Sequence, residues 1–258
     1  MRKTRYTTLR YDLSPPIATI TLHRPTAGNR VNDAMAADLR HACQRLREDG
    51  VHAAVVTGSG AYFSSGREAY GPSPEEAPAA WLRRRRAAVD LARVEVPLIA
   101  AVNGDAVDQG LELALACDLR LAAEGASLGF TDVKRGAIPW DGGTQLLPRL
   151  VGKGLALEML LTSRLVGAAE ARRRGLVNEV VELSRLMDRA LEVAGVIASG
   201  APIALRYAKE TVLKSMDLSL EQGLGLEADL SVVLQTTRDR EEGLSSFAEK
   251  REPEFTGE

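Results

Sequence analysis

The chain has 258 residues, 45% of them hydrophobic and 26% charged, which suffices for one large core with or without an appendage and excludes wholesale disorder. Its 33 Lys and Arg against 35 Asp and Glu give a formal charge of −2, which argues against a protein devoted to covering nucleic-acid phosphates. No run reaches the ~18 apolar residues that span a bilayer, and residues 1–6 are cationic without an apolar stretch behind them, so neither a membrane span nor a secretory signal is expected and the cytoplasm is the default.

Residues 8–12 and 17–22, β-branched and alternating around Ser14-Pro15-Pro16, predict an opening hairpin. Met35, Leu39, Ala42, Cys43 and Leu46 then recur at helical spacing after the capping pair Asn32-Asp33, and Gly50 ends the run. Residues 51–57 are nearly all apolar, as a strand covered on both faces requires, and lead into a Gly/Ser loop over 58–66. A second cycle follows: a helix over 75–94, a buried strand over 98–102, a loop over 103–110 and an apolar helix from Leu111. Beyond it come a strand over 119–122, a loop to Gly143, a helix over 144–164, a short strand over 178–182 and a helix to Ser199. From Pro202 the pattern is helical without a strand candidate, so the chain divides into a core, residues 1–200, and a helical region, residues 201–258, that packs on the core or on another subunit.

Cys43 and Cys117 sit in apolar stretches and His23, His41 and His52 are scattered, so no disulfide framework or metal-ligand spacing is present and no metal is expected. The four arginines 83–86 step around a helix by ~100° each and cannot all track one phosphate backbone. An exposed or interface-paired cluster is the reading, with a phosphate contact as the alternative. Two loops that leave strands and enter helices remain: residues 63–68 (Phe-Ser-Ser-Gly-Arg-Glu) and 103–112 (Asn-Gly-Asp-Ala-Val-Asp-Gln-Gly-Leu-Glu). Ligands gather outside the carboxyl ends of strands, and Gly-containing turns leave backbone N–H groups free to face an anion; plain connectors are the alternative.

Taken as an ordered set, several segments resemble the crotonase family, the enoyl-CoA hydratase/isomerase superfamily, over nearly the whole chain. They are residues 20–25 (Ile-Thr-Leu-His-Arg-Pro), 55–60 (Val-Val-Thr-Gly-Ser-Gly) with 63–66, 97–104 (Pro-Leu-Ile-Ala-Ala-Val-Asn-Gly) and 112–118 (Glu-Leu-Ala-Leu-Ala-Cys-Asp). Residues 136–139 (Gly-Ala-Ile-Pro) with 142–145 (Gly-Gly-Thr-Gln), and 247–251 (Phe-Ala-Glu-Lys-Arg) with Pro253, complete the set. The resemblance implies an α/β fold, a spiral of ββα units with a C-terminal helical trimerisation region, assembled as a homotrimer or a dimer of trimers. It also implies an acyl-CoA thioester as substrate, with no cofactor beyond the CoA that the substrate carries.

Carried over residue by residue, the resemblance makes the Arg67 and Gln109 amides the two donors of an oxyanion hole. Such donors stabilise the enolate oxygen that a thioester develops by roughly 3 to 4 kcal/mol each. Glu112 matches the first catalytic glutamate of family hydratases. A lone carboxylate on an apolar helix is costly unless paired or used, and burial raises its pKa toward proton transfer. Pairing with a loop arginine is the alternative. Asp132 aligns with the second acid and is one methylene, ~1.5 Å, shorter. Asp141 adds a third carboxyl where several members carry a reaction-specific acid, unless it caps the helix that follows, and Trp140 beside it lines the pocket or the core.

Further departures are Gln109 and Asp108 where glycine is expected, Asp105 for an aromatic and Glu68 for aspartate. For CoA, the resemblance points to Arg24, Ala27, Ser65, the side chain of Arg67 and Lys250. The expected activity is that of an enoyl-CoA hydratase or hydratase-like lyase, and the departures suit a cyclic or branched acyl group. An enoyl-CoA isomerase or C–C bond hydrolase of the same fold is the first alternative, and a non-catalytic RNA-binding relative using residues 83–86 is the second.

Overall fold

Strands of two sheets alternate along the chain. The computed structural model describes residues 6–68 and 75–258; the cationic residues 1–5 lie outside them. β1 (Leu9–Ser14) and β2 (Ile17–Leu22) form the antiparallel hairpin. Helix α1 (Asp33–Glu48) follows, capped by the Asn32 side chain, which accepts from the Met35 N–H at 2.9 Å. It buries Met35, Ala36, Leu39, Ala42 and Leu46 on one face. Then come β3 (Ala53–Gly58), β4 (Tyr62–Ser64), α2 (Pro78–Arg85) and α3 (Ala88–Ala92). The cycle repeats as β5 (Leu98–Val102), β6 (Asp105–Val107) and α4 (Gln109–Leu115). It repeats again as β7 (Leu119–Ala123), β8 (Ser127–Gly129) and α5 (Gly143–Thr162), which bends at Gly152. β9 (Val166–Gly167), α6 (Ala168–Arg173), β10 (Glu179–Val181) and α7 (Leu186–Ala198) close the core. Helices α8 (Pro202–Lys214), α9 (Leu220–Leu234) and α10 (Arg238–Glu249) complete the chain.

The larger sheet has the order β1-β2-β3-β5-β7-β10 and is parallel from β2 onward; the smaller has the order β4-β6-β8-β9, with only β9 antiparallel. Each pair β3/β4, β5/β6 and β7/β8 therefore gives one strand to each sheet before a helix, which winds the chain into a spiral. Both faces of the large sheet are covered, which explains the continuous apolar runs. Ala53, Val55, Ile99, Ala101, Leu121 and Ala123 pack on Leu186, Ala190, Ala194 and Ala198 of α7. The alternate residues Ala54, Val56, Leu98, Ala100 and Val102 face the main core with Met35, Leu39, Leu91, Leu111 and Leu113. Burial of each such Val, Leu or Ile is worth about 1.5–3 kcal/mol.

The structure corrects the sequence reading in two places. The helix expected over 75–94 is two helices, because the carboxylate of distant Asp141 caps α3: it accepts from the N–H groups of Ala87, Ala88 and Val89 at 2.8, 2.9 and 3.1 Å. The loops expected over 58–66, 103–110 and up to Gly143 contain β4, β6 and β8, three residues each and too short to show a period. The helices after residue 200 bury less of their own surface, although Lys209 of α8 pairs with Asp118 and donates to the Val96 carbonyl of the core. α8 and α9 contain no fully buried residue, and Val212, Leu220, Val232 and Phe247 are exposed.

Candidate active site

The small sheet delivers the site. β4 ends at Ser64 and runs straight into residues 65–68, while β6 ends at Val107 and turns through Asp108 into α4. The two turns touch: a Cβ placed on Gly66 would lie 3.3 Å from the Asp108 Cβ, and one placed on Gly110 would lie 2.0 Å from the Ser64 carbonyl oxygen. Only glycine fits at 110, and Gly66 adopts φ +111°, a left-handed conformation that side chains resist. Buried Asn29 pins the first turn through its amide, which donates to the carbonyls of Ser59 and Tyr62. The Val31 N–H donates to the Gly66 carbonyl and the Glu68 N–H to the Val31 carbonyl, bracketing Arg67. Neither the Arg67 nor the Gln109 amide donates to any group among the described residues, so both expected oxyanion donors are uncommitted and lie one residue beyond the point where the turns meet.

Glu112 sits in the first turn of α4, a helix whose residues are all buried. Its Oε1 accepts from the Asp141 N–H at 2.8 Å and the Gly143 N–H at 2.9 Å, while its buried Oε2 has no partner among the described residues. Burial pushes the carboxyl up to about 7, against the pull of those two amides and the nearby Arg67. One oxygen is thus fixed and the other left available.

Asp132 opens a 3-10 turn (Asp132–Arg135) and is also buried. Its Oδ1 accepts from the guanidinium of Arg67 and, at 3.2 Å, from that of Arg135; its Oδ2 is buried without a partner among the described residues. Burial raises its pKa, opposed by both arginines. The two acids thus differ in their partners: Glu112 is held by neutral amides and Asp132 by two guanidinium groups.

Asp141 has another task. Besides capping α3, its Oδ2 accepts from the Gln109 Nε2 at 2.9 Å, so both of its oxygens are engaged. It does not cap the helix that follows it, and its backbone N–H, rather than its acid, serves the site by holding Glu112. Burial raises its pKa against four donors. Gln109, where glycine was expected, folds its side chain back between the Arg85 carbonyl and Asp141, away from its own free amide.

The remaining sequence candidates fall into two groups. Trp140 lies in the site, with the Arg67 guanidinium 5.2 Å from its ring centroid and Trp81 6.0 Å on, and Arg85 stands 5.0 Å from the Trp81 ring. The side chain of Arg67 therefore runs inward, 11% exposed, and not out toward phosphates. Arg24 pairs with Glu68 and donates to the Arg30 carbonyl, Ala27 ends the 3-10 turn Pro25–Ala27, and Ser65 is bonded through N–H and hydroxyl to the Gly28 carbonyl. These three line one edge beside the first turn, whereas Lys250 is exposed at the end of α10 and makes no side-chain bond to that edge among the described residues. Asp105 accepts from the Ser127 N–H at 2.9 Å, joining β6 to β8. The arginine run is dispersed as well: Arg84 pairs with Asp33 and Glu76, and buried Arg85 with Asp33.

Sequence reasoning missed Arg135 and Trp81. An acid and an arginine three residues apart on a helical turn was the available signal for Arg135. For Trp81 it was scarcity, since the chain has two tryptophans and both are here. A cleft of about 520 Å³ between α1, α3 and α8 contains none of the site residues. No group of three or more His, Cys, Asp and Glu among the described residues is placed to hold a metal, and no helix among them is long and apolar enough to cross a membrane.

A two-sheet spiral whose two strand-exit turns leave amides free, one of them three residues before a buried, high-pKa glutamate, holds donors for a developing anion and a base on neighbouring segments. The model of the enoyl-CoA hydratase/isomerase family matches residues 13–258. The chain is 41% identical to (E)-benzylidenesuccinyl-CoA hydratase of Thauera aromatica, over 95% of this chain and 98% of that one. It is 38% identical to 2,3-dehydroadipyl-CoA hydratase of Escherichia coli K12, over 92% and 94%. A crystal structure of enoyl-CoA hydratase from Bacillus anthracis superposes with a TM-score of 0.92 at 37% identity, covering 98% of this chain and all of the other. The chain belongs to the enoyl-CoA hydratase/isomerase, or crotonase, family, whose members act on acyl-CoA thioesters.

Proposed function

We propose that the protein hydrates an α,β-enoyl-CoA thioester without a further cofactor, with Glu112 as the proton carrier. The observation that carries the reading is the division of labour within Glu112: Oε1 fixed by two amides, Oε2 buried and free. The thioester oxygen accepts from the Arg67 and Gln109 amides. A water donates one hydrogen to Glu112 Oε2 and the other to Asp132 Oδ2, which aims its oxygen at C3. As the C–O bond forms, Glu112 takes the water's proton and the thioester oxygen gains the negative charge. Collapse of the enolate returns that proton from Glu112 to C2, so the product has gained one water and the enzyme is unchanged. The Asp132 carboxylate, held by two guanidinium groups, orients the water and transfers no proton in this scheme.

The free Oδ2 of Asp132 favours hydration over double-bond isomerisation, which needs one acid and no second acceptor for water. Turnover in ¹⁸O-labelled water tests this: label at C3 of a 3-hydroxyacyl product is expected. A migrated double bond without label, or cleavage of a β-keto thioester, would replace the reading with isomerase or C–C hydrolase. Against the RNA-binding reading stands the engagement of Arg84 and Arg85 in ion pairs. The acyl group we assign is cyclic or branched rather than a plain hydrocarbon chain, in keeping with Trp140 and Arg67 in the site. Two relatives are likewise named for thioesters, benzylidenesuccinyl-CoA and 2,3-dehydroadipyl-CoA, whose acyl groups extend beyond simple hydrocarbon. The exposed apolar residues of α8–α10 support assembly into homotrimers or dimers of trimers.

A further inference from the structure

We infer that the acyl group carries a second, free carboxylate, and that the Arg67 guanidinium recognises it. The inference rests on the assignment of this site to an acyl-CoA and deepens it. Arg67 is the residue whose amide is placed at the thioester oxygen, so its side chain begins beside the carbonyl and runs inward over Trp140. Three of its features bear on a ligand. Nη2 is committed to Asp132, the guanidinium face is committed to the Trp140 ring, and Nη1 is buried with no acceptor among the described residues.

A desolvated guanidinium with idle N–H groups is unfavourable unless something completes it. The one carboxylate it has is shared with Arg135, so the protein supplies less acceptor than the fork can use. A hydrocarbon acyl chain laid against Nη1 would leave that deficit in place. The attacking water is no standing remedy either. Among the described residues the four unpartnered buried atoms of the site are Arg67 Nη1, Gln109 Oε1, Glu112 Oε2 and Asp132 Oδ2, and Nη1 alone is a donor. The attacking water gives both hydrogens to the carboxylates and one lone pair to C3, and it is consumed in the reaction, so Nη1 has no lasting acceptor from it. The acceptor therefore comes from the substrate. A planar anion matches the fork, and the Trp140–Trp81 pair offers the apolar remainder of such an acyl group a flat wall.

The test uses near-isosteric saturated thioesters that differ only in a terminal methyl or carboxylate: butyryl-CoA against succinyl-CoA and hexanoyl-CoA against adipoyl-CoA. Binding is measured by calorimetry on the wild type, on Arg67→Met and on Arg67→Lys. At the chain length that reaches Nη1, the carboxylate member is expected to bind wild type at least about tenfold more tightly. Arg67→Met should abolish or invert the preference, and Arg67→Lys should keep part of it through charge without the fork. Equal binding within both pairs, or a preference that survives Arg67→Met, overturns the inference. Steady-state hydration of crotonyl-CoA and of enoyl-CoAs bearing a carboxylate separates the two conclusions. Hydration without a carboxylate preference sinks this inference and leaves the hydratase, whereas a binding preference without any hydration leaves this inference and sinks the hydratase.

Discussion

Replacing Glu112 by Gln sets catalysis against stability in a way that the structure quantifies. Gln keeps the acceptor that Asp141 and Gly143 use and removes the charge that burial opposes. The Glu112 pKa rises from the ordinary 4.5 to about 7 on folding. A group raised in this way supports the fold fully below its unfolded pKa and withdraws that support as pH climbs through the folded one. The interval of 2.5 corresponds to about 3 kcal/mol of folding free energy forgone by the wild type at pH 8.5, and to less than about 1 kcal/mol at pH 5. Glu112→Gln is therefore expected to be more stable than wild type at pH 8.5, by about 5 °C in Tm for a chain of this length, and nearly equal to it at pH 5. Denaturant or thermal unfolding at the two pH values reads this directly. The same variant should lose roughly 10²- to 10⁴-fold in kcat, the usual worth of a positioned base. A variant that gains no stability on the alkaline side, or that still hydrates enoyl-CoAs at full rate, would refute the assignment of a buried, titrating base.

Other outcomes follow from the same geometry. Because Glu112 acts ionised, kcat/KM should rise with pH to a plateau above about 7, and in Glu112→Asp the inflection should move, as stopped-flow assays across pH will show. Asp132→Asn leaves a neutral acceptor and should lower kcat by roughly 10²-fold through misplaced water, while the pH inflection set by Glu112 persists. Asp141→Ala strands the N–H groups of Ala87, Ala88 and Val89 and the Gln109 amide, and should cost about 3–4 kcal/mol in urea unfolding. For assembly, light scattering should give three or six times the 27.7 kDa of one chain, and Leu220→Glu with Phe247→Glu should reduce that mass.

The larger sheet was legible because its strands are long and buried on both faces: β3, β5 and β7 stand in the sequence as apolar runs. The smaller sheet was not, since β4, β6 and β8 are three residues each and their pairing is set by the spiral rather than by local pattern. Asp141 shows the same limit in another form. A cap is read from the residue before a helix, yet this one is supplied to α3 from far along the chain, and so the break at Arg86 had no local signal. Within the site, Glu112 was readable as a carboxylate stranded on an apolar helix. The inward course of Arg67 was not, because it depends on Asp132 being buried opposite, a fact of tertiary structure.

Asp108 explains why the residues that depart from the family pattern belong together. It holds φ 51° and ψ −123°, a conformation natural to glycine that costs another residue about 1–3 kcal/mol. Its carboxylate offsets this by accepting from the Thr131 N–H at 2.5 Å, the Thr131 hydroxyl at 3.0 Å and the Arg135 guanidinium at 2.6 Å, bonds worth about 1.5–3 kcal/mol each where a charge takes part. Those partners flank Asp132, so the turn that presents the shortened acid is fastened to the turn that carries the Gln109 amide. Arg135 reaches Asp132 from one side and Arg67, from the turn after β4, from the other. Gln109 and Asp141 form a second contact of the same kind, tying that amide's own residue to the loop that holds Glu112. Asp108, Gln109, Asp132 and Asp141 are thus linked through these bonds, so the separations among the two turns, Glu112 and Asp132 are set by side-chain bonds as well as by the backbone that carries them.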